Sequence, residues 1–174
     1  MAFTCGEFRK ALGAFPTGVV VAATRCRNGL LQGMTVSSFN SVSLDPPLVL
    51  FSIGRSVSSF AVWQTASAWG ISVLGEAQHD VSDRFARSGG DKWSGLEPAN
   101  GVTGVPLVPG ALAHFECERY ALHDGGDHVI LVGRVVALRR PPVESARPLV
   151  FFSGRYHHLH APSVSGHGKV GPPS

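Results

Sequence analysis

Two strand-like runs, Ala111 to His123 and Asp127 to Arg139, flank the sequence Asp124-Gly125-Gly126. Asp and Gly between two such runs signal a tight hairpin, because Gly accepts the backbone angles the turn needs. Further strand-like runs are Val19 to Ala23, Leu30 to Ser37, Leu48 to Ile53, Trp69 to Leu74 and Leu149 to Phe152. Val19 to Ala23 is continuously apolar, as expected of a strand buried on both faces. Asn28-Gly29 turns it back, so Leu30 to Ser37 is its hairpin partner. Gly33 inside that partner strand suggests a bulge or a close approach of backbone to ligand.

Helical spacing is confined to short pieces. Thr4 caps a first helix carrying Phe8, Ala11, Leu12 and Phe15, and Pro16-Thr17-Gly18 ends it. Val57 to Ala66 reads as a second helix, with Phe60 and Trp63 on its inner face. Gln78 to Ser88 reads as a third, stopped by Gly89-Gly90. Asp91 to Gly110 is a Gly/Pro-rich connection without clear periodicity, which points to a functional loop or lid. The chain has 21 glycines and 12 prolines, in keeping with many turns. The expected fold is mainly β, a closed or partly closed antiparallel barrel with a few short flanking helices. One domain is expected over 1–160, followed by a flexible tail over 161–174 that is low in apolar residues.

Gly33 to Ser59 carries the most chemistry. Thr35, Ser37, Ser41 and Ser43 fall on one parity of an extended chain, Ser38 and Asn40 on the other. A strand with polar groups on both faces suits a polar, planar ligand better than an apolar core. Gly54-Arg55-Ser56 then stands between the run Leu48 to Ile53 and the helix expected from Val57. Free amides, serines and a guanidinium at a helix start are what a phosphate requires. A ring site followed by a phosphate site has the shape of a flavin nucleotide. The alternative is a capping serine and a solvated hairpin.

Several function classes are excluded on composition. Net charge is only +3, and the only adjacent basic pairs are Arg9-Lys10 and Arg139-Arg140, so nucleic-acid binding is not expected. Cys5, Cys26 and Cys117 are widely spaced, without CxxC, so neither a disulfide framework nor a zinc site is expected. His157, His158 and His160 lack Cys or carboxylate partners at useful spacing, so no metal is assigned to them. No apolar run approaches a membrane span and no signal sequence opens the chain, so a cytoplasmic location is expected. No G-x-G-x-x-G follows a strand and no G-x-x-x-x-G-K-[ST] occurs, so a dinucleotide cofactor would not be held by a Rossmann unit or a P-loop.

The pattern G-x-T-V-S-S-F-x-S-V-S-x-x-P-P-L, followed by R-S-x-S-S, resembles the flavin reductase-like family. Further matches are Ile71-Ser72-Val73-Leu74, Arg84-Phe85-Ala86, Asp91-Lys92-Trp93, Gly126-Asp127-His128, Gly133-Arg134-Val135 and Pro148-Leu149-Val150, so that the resemblance covers about residues 5 to 159. The chain also resembles the reductases of actinomycete aromatic polyketide pathways. The resemblance implies an FMN-binding split β-barrel of Greek-key type, a homodimer with flavin near the subunit interface, and hydride transfer from NADH, or NADPH, to FMN or FAD. Reduced flavin would then diffuse to a partner monooxygenase. Two other readings stay open: a split-barrel flavoprotein keeping its FMN and acting on its own small substrate, and a non-enzymatic flavin-binding protein.

The resemblance also implies roles. Thr35, Ser37 and Ser38 would meet the flavin ring and ribityl chain, and Ser52, Arg55, Ser58 and Ser59 the ribityl-phosphate end. Arg84 and Phe85 resemble a second flavin contact, Tyr156 a ring cover, and His128 the histidine beside the nicotinamide. The structural alternatives are a solvated Arg84, a core-closing Tyr156 and a hairpin His128 satisfied by backbone, with Asp127 either holding its ring or simply turning the chain. Both reacting groups of such a reaction belong to cofactors, so no catalytic triad or carboxylate pair is called for.

Overall fold

The computed structural model describes residues 2–140 and 147–159. Its elements in order are α1 (Cys5–Leu12), β1 (Thr17–Gly18), β2 (Val20–Arg25), β3 (Leu31–Val36), β4 (Asn40–Leu44), β5 (Pro47–Gly54), α2 (Phe60–Thr65), β6 (Ala68–Val73), a 3-10 turn (Glu76–Gln78), α3 (His79–Ala86), β7 (Ala99–Asn100), β8 (Pro106–Leu107), β9 (Ala113–Gly125), β10 (His128–Arg139), β11 (Val150–Phe152) and β12 (Arg155–His157). The tail expected over 161–174, and His160, lie outside the described residues.

Seven strands form one sheet in the order β3-β2-β6-β9-β10-β5-β4, and every pairing within it is antiparallel. The two outermost strands, β3 and β4, are consecutive in the chain and joined only by Ser37, Ser38 and Phe39. That link reaches about 14 Å at most, whereas seven flat strands would separate their outer members by about 29 Å. The sheet is therefore rolled until its two ends approach each other. Ser38 Oγ, in the link, accepts from the Ser52 amide of β5 at 2.9 Å. β1, β11 and β12 make a small second sheet.

The rolling leaves β2 covered on both sides. Val20 and Ala22 join a core with Phe51, Ile53, Trp63, Trp69, Ile71 and Leu131. Val19, Val21 and Ala23 join another with Leu74, Phe85, Trp93 and Leu149. This accounts for the unbroken apolar run at Val19 to Ala23. Phe51 anchors the first core, with Trp63 and Trp69 edge-on to it, each at 5.7 Å between centroids.

Local expectations were met unevenly. Thr4 caps α1 in a reciprocal capping box with Glu7. Yet α1 buries none of its residues, and Phe8, Leu12 and the following Phe15 are exposed. The helix expected from Val57 starts only at Phe60, and residues 55–59 form turns instead. Three serines and a β-branched valine favour that outcome, because serine hydroxyls compete for backbone groups. Gly33 makes no bulge: the β2–β3 register runs unbroken from Val20↔Val36 to Arg25↔Leu31. The connection over 91–110 is packed down, with Trp93, Leu107 and Val108 buried.

Candidate functional site

β3, the link after it, the end of β5 and the turns over 55–59 line one groove made of two recesses. The first, about 670 Å³, runs between β3 and the C-terminal end of α3. Its walls include Gly33, Thr35, Ser58, Ser59, Phe85 and Lys92. The second, about 720 Å³, runs from β3 to the β9–β10 turn and takes in Ser37, Ser38, Ser52, Arg55 and His128. Met34, Thr35, Ser56 and Val57 border both, so the recesses are continuous.

The polar residues of β3 and its link turn out to be partly structural. Thr35 Oγ1 donates to the Ser82 carbonyl at 2.6 Å, tying β3 to α3. Ser38 holds β5 through Ser52, and Ser59 Oγ accepts from Trp63 Nε1 at 3.3 Å. What remains for a ligand is mainly backbone. Among the described residues, none accepts a hydrogen bond from the amides of Ser56, Ser58 or Ser59. Three such donors within four residues, with the hydroxyls of Ser56 and Ser58, supply a loop cradle for an oxyanion. The cradle belongs to turns; α2 has only six residues.

Arg55 stands at the second recess, held from several sides. Its Nε donates to Gly126 O at 2.9 Å, Nη2 is 3.1 Å from Asp124 Oδ1, and its amide donates to Asp127 O. Asp124 is kept below the usual carboxylate range by the Gly126 amide first and by Arg55 second. The strand pairing His128↔Gly54 brings the imidazole over Gly54, with His128 Nδ1 2.7 Å from Asp127 Oδ1. That carboxylate is likewise held low, chiefly by the histidine hydrogen bond. With Nδ1 engaged, Nε2 is the ring atom left for a ligand.

Arg84 and Tyr156 line neither recess. Arg84 Nη1 donates to Ser94 O at 3.0 Å. Neighbouring residues point about 100° apart on a helix, and here Phe85 takes the inward direction. The Tyr156 hydroxyl donates to Asp83 Oδ1 and accepts from the Ser82 hydroxyl, each at 2.8 Å, while its ring meets Phe151, so it braces α3.

Lys92 was not singled out from the sequence. Its Nζ donates to Gly33 O at 3.1 Å and Phe85 O at 3.0 Å at the edge of the first recess, and burial lowers its pKa. The Asp91-Lys92-Trp93 match was the one signal for it. Arg9, which borders the second recess, was hidden in a helix read only for its apolar spacing.

Among the described residues, Asp127 is the only carboxylate bordering either recess and His128 the only imidazole. Among the described residues bordering the recesses, neither a nucleophile hydrogen-bonded to a base nor a carboxylate pair is present. Among the described residues, no cluster of His, Cys, Asp or Glu is arranged to hold a metal ion. The groove is thus equipped to bind flat, anion-bearing molecules and bring them together, and the residues present fit a flavin nucleotide.

A family model described as the flavin reductase like domain matches residues 12–160. The chain belongs to the flavin reductase-like family. It is 46% identical over 150 residues to the FMN reductase (NADH) SmoA of Agrobacterium fabrum, an alignment covering 86% of this chain and 83% of that protein. It is 37% identical over 150 residues to the reductase subunit HsaB of a flavin-dependent monooxygenase from Rhodococcus jostii, covering 86% and 75%. Among solved structures, the NADH:FAD oxidoreductase SgcE6 of Streptomyces globisporus, in complex with NAD and FAD fragments, superposes with a TM-score of 0.84 at 34% identity, covering 92% of this chain and 94% of that one.

Proposed function

We propose that this protein is an NADH-dependent flavin reductase that supplies reduced flavin to a partner monooxygenase. The observation that carries the reading is the continuous two-recess groove, with an amide cradle at Ser56, Ser58 and Ser59 and a single imidazole, His128, across from it. The bound nucleotides supply the chemistry, hydride transfer from a dihydronicotinamide to a flavin ring. Thr35, Ser37 and Ser38 border the ring and ribityl chain, while Ser52, Arg55, Ser58 and Ser59 hold the ribityl-phosphate end of FMN or FAD. His128 presents Nε2 to the nicotinamide nucleotide, oriented by Asp127. The two recesses share walls, so both rings are held side by side and water is displaced from between them. NADH is the donor in the names of the relatives; NADPH remains a second donor to assay.

The rolled sheet supports a split-barrel architecture. A homodimer accounts for the exposed apolar side chains of Val42 and Leu44 on β4 and of Tyr120, Val136 and Leu138 on β9 and β10. The unpaired cysteines and a nicotinamide donor suit the cytoplasm. Among the described residues, no helix is long and apolar enough to cross a membrane.

The test is NADH absorbance in air with purified protein, with and without added FMN, then FAD, then NADPH in place of NADH. NADH loss that requires added flavin is expected. No loss with any combination overturns the reading and leaves a binding protein on this fold.

A further inference from the structure

Two arginines, Arg9 and Arg55, border the recess that contains His128. They are not equivalent. Arg55 already donates to Gly126 O and Asp124 Oδ1, and its guanidinium lies 5.9 Å from the Phe60 ring centroid. The imidazole is likewise engaged with Asp127. Among the described residues, none accepts a hydrogen bond from the Arg9 side chain, although its charge reaches the Asp127 carboxylate. A guanidinium has five N–H donors in a flat fork suited to phosphate oxygens. An anionic ligand entering this recess therefore finds in Arg9 a cation whose donors no described residue engages, beside the unengaged Ser56 amide.

The mounting of Arg9 fits that role. It sits in the last turn of α1, a helix that buries none of its residues. Gly13, at the end of α1, accepts from the Ser153 amide at 3.0 Å, which pins the helix at its base. Arg9 thus stands at the rim of the recess, its other face towards solvent.

We propose that Arg9 binds the phosphate of the nicotinamide nucleotide and so determines a preference for phosphate-bearing hydride donors. This rests on the reading of the His128 recess as the nicotinamide site. Arg9 takes no part in the hydride step; it positions the donor through its phosphate.

The experiment compares NADH with dihydronicotinamide riboside, which lacks phosphate, as donors to saturating FMN. Arg9→Ala is expected to raise the KM for NADH roughly tenfold or more, the effect of removing a charge-assisted hydrogen bond. The KM for the riboside and for FMN should stay within about twofold, since neither contact is lost. Arg9→Lys should recover part of the NADH preference. An unchanged NADH KM in Arg9→Ala, or an equal rise for NADH and the riboside, overturns the proposal; the second result would mean Arg9 only braces α1. His128→Ala separates the two levels. If it raises the KM of both donors while Arg9→Ala changes neither, the nicotinamide reading stands and Arg9 falls. If it affects only FMN, or if the wild type fails to oxidise NADH with flavin, the reading of the recess falls and takes the Arg9 proposal with it.

Discussion

Phe85 fills the space that a side chain on Gly33 would need: a Cβ at Gly33 would stand 2.5 Å from Phe85 Cε1. Phe85 is buried and meets Trp93 edge-on at 4.9 Å. β3, α3 and the loop over 91–110 are thereby locked together beside the first recess. Lys92 adds its two hydrogen bonds to Gly33 and Phe85 carbonyls at the same junction.

Gly33→Ala is expected to push Phe85 and α3 outwards. Overpacking of this kind costs typically about 1–3 kcal/mol. Thermal unfolding should show a lowered Tm, and flavin titration a weaker affinity, because the same wall borders the groove. An unchanged Tm would mean that Phe85 yields without moving α3.

Glu116 contributes to acid stability. Its buried carboxylate accepts from the Val102 amide at 3.0 Å, the Thr103 amide at 2.8 Å and Thr103 Oγ1 at 2.7 Å. Burial pushes its pKa up, but these donors and the charge of Arg139 outweigh burial and leave it below 4.5. A depressed carboxyl contributes stability above its unfolded pKa and loses it as pH falls through the folded one. Denaturant midpoints measured from pH 7 downwards should therefore fall below about pH 4.5, and Glu116→Gln should flatten that fall. At neutral pH the variant should lose about 1–3 kcal/mol, since charged hydrogen bonds are replaced.

Arg55→Ala is expected to weaken flavin binding by roughly tenfold, the effect of losing one charge-assisted contact to phosphate. Its pair with Asp124 is exposed, so stability should change by no more than about 1 kcal/mol. Flavin fluorescence titration and thermal unfolding together check both parts. An unchanged affinity with a clear loss of stability would make Arg55 a clamp for the β9–β10 turn, and would move the phosphate towards Lys92.

Cys117 is fully buried, and burial followed by the Glu116 charge pushes its thiol up to about 12. At pH 8 the thiolate, which is the reactive form, is then only about one part in ten thousand. A thiol reagent should label the exposed Cys5 in the native protein and reach Cys117 only after denaturation. Rapid native labelling of Cys117 would show that the β6–β9–β10 region opens readily.

Much of the fold was legible in local pattern. Asp124-Gly125-Gly126 marked the hairpin, the apolar run Val19 to Ala23 marked a strand covered on both faces, and Thr4 marked the first helix start. The stretch Gly33 to Ser59 also identified the groove, because hydroxyls and a Gly-Arg-Ser turn have no purpose in an apolar core. Less legible was which hydroxyls are spent internally. Thr35 and Ser38 look alike in sequence to Ser37, yet the first two hold α3 and β5 in place. Arg84 and Tyr156 matched a family pattern, but the partners that draw them away, Ser94, Ser82 and Asp83, are ten or more residues distant.

The sequence by itself determined the elements, their turns and the chemistry available, since these follow from side-chain period, glycine positions and residue type over a few neighbours. Tertiary structure alone decided which groups share the groove. The short link between the outermost strands β3 and β4, with the turns and helices packed beside it, brings Thr35, Ser58, Lys92, His128 and Arg9 to one cleft from five separate parts of the chain. No local signal encodes that meeting, because it arises from strand order and from burial of β2 on both faces.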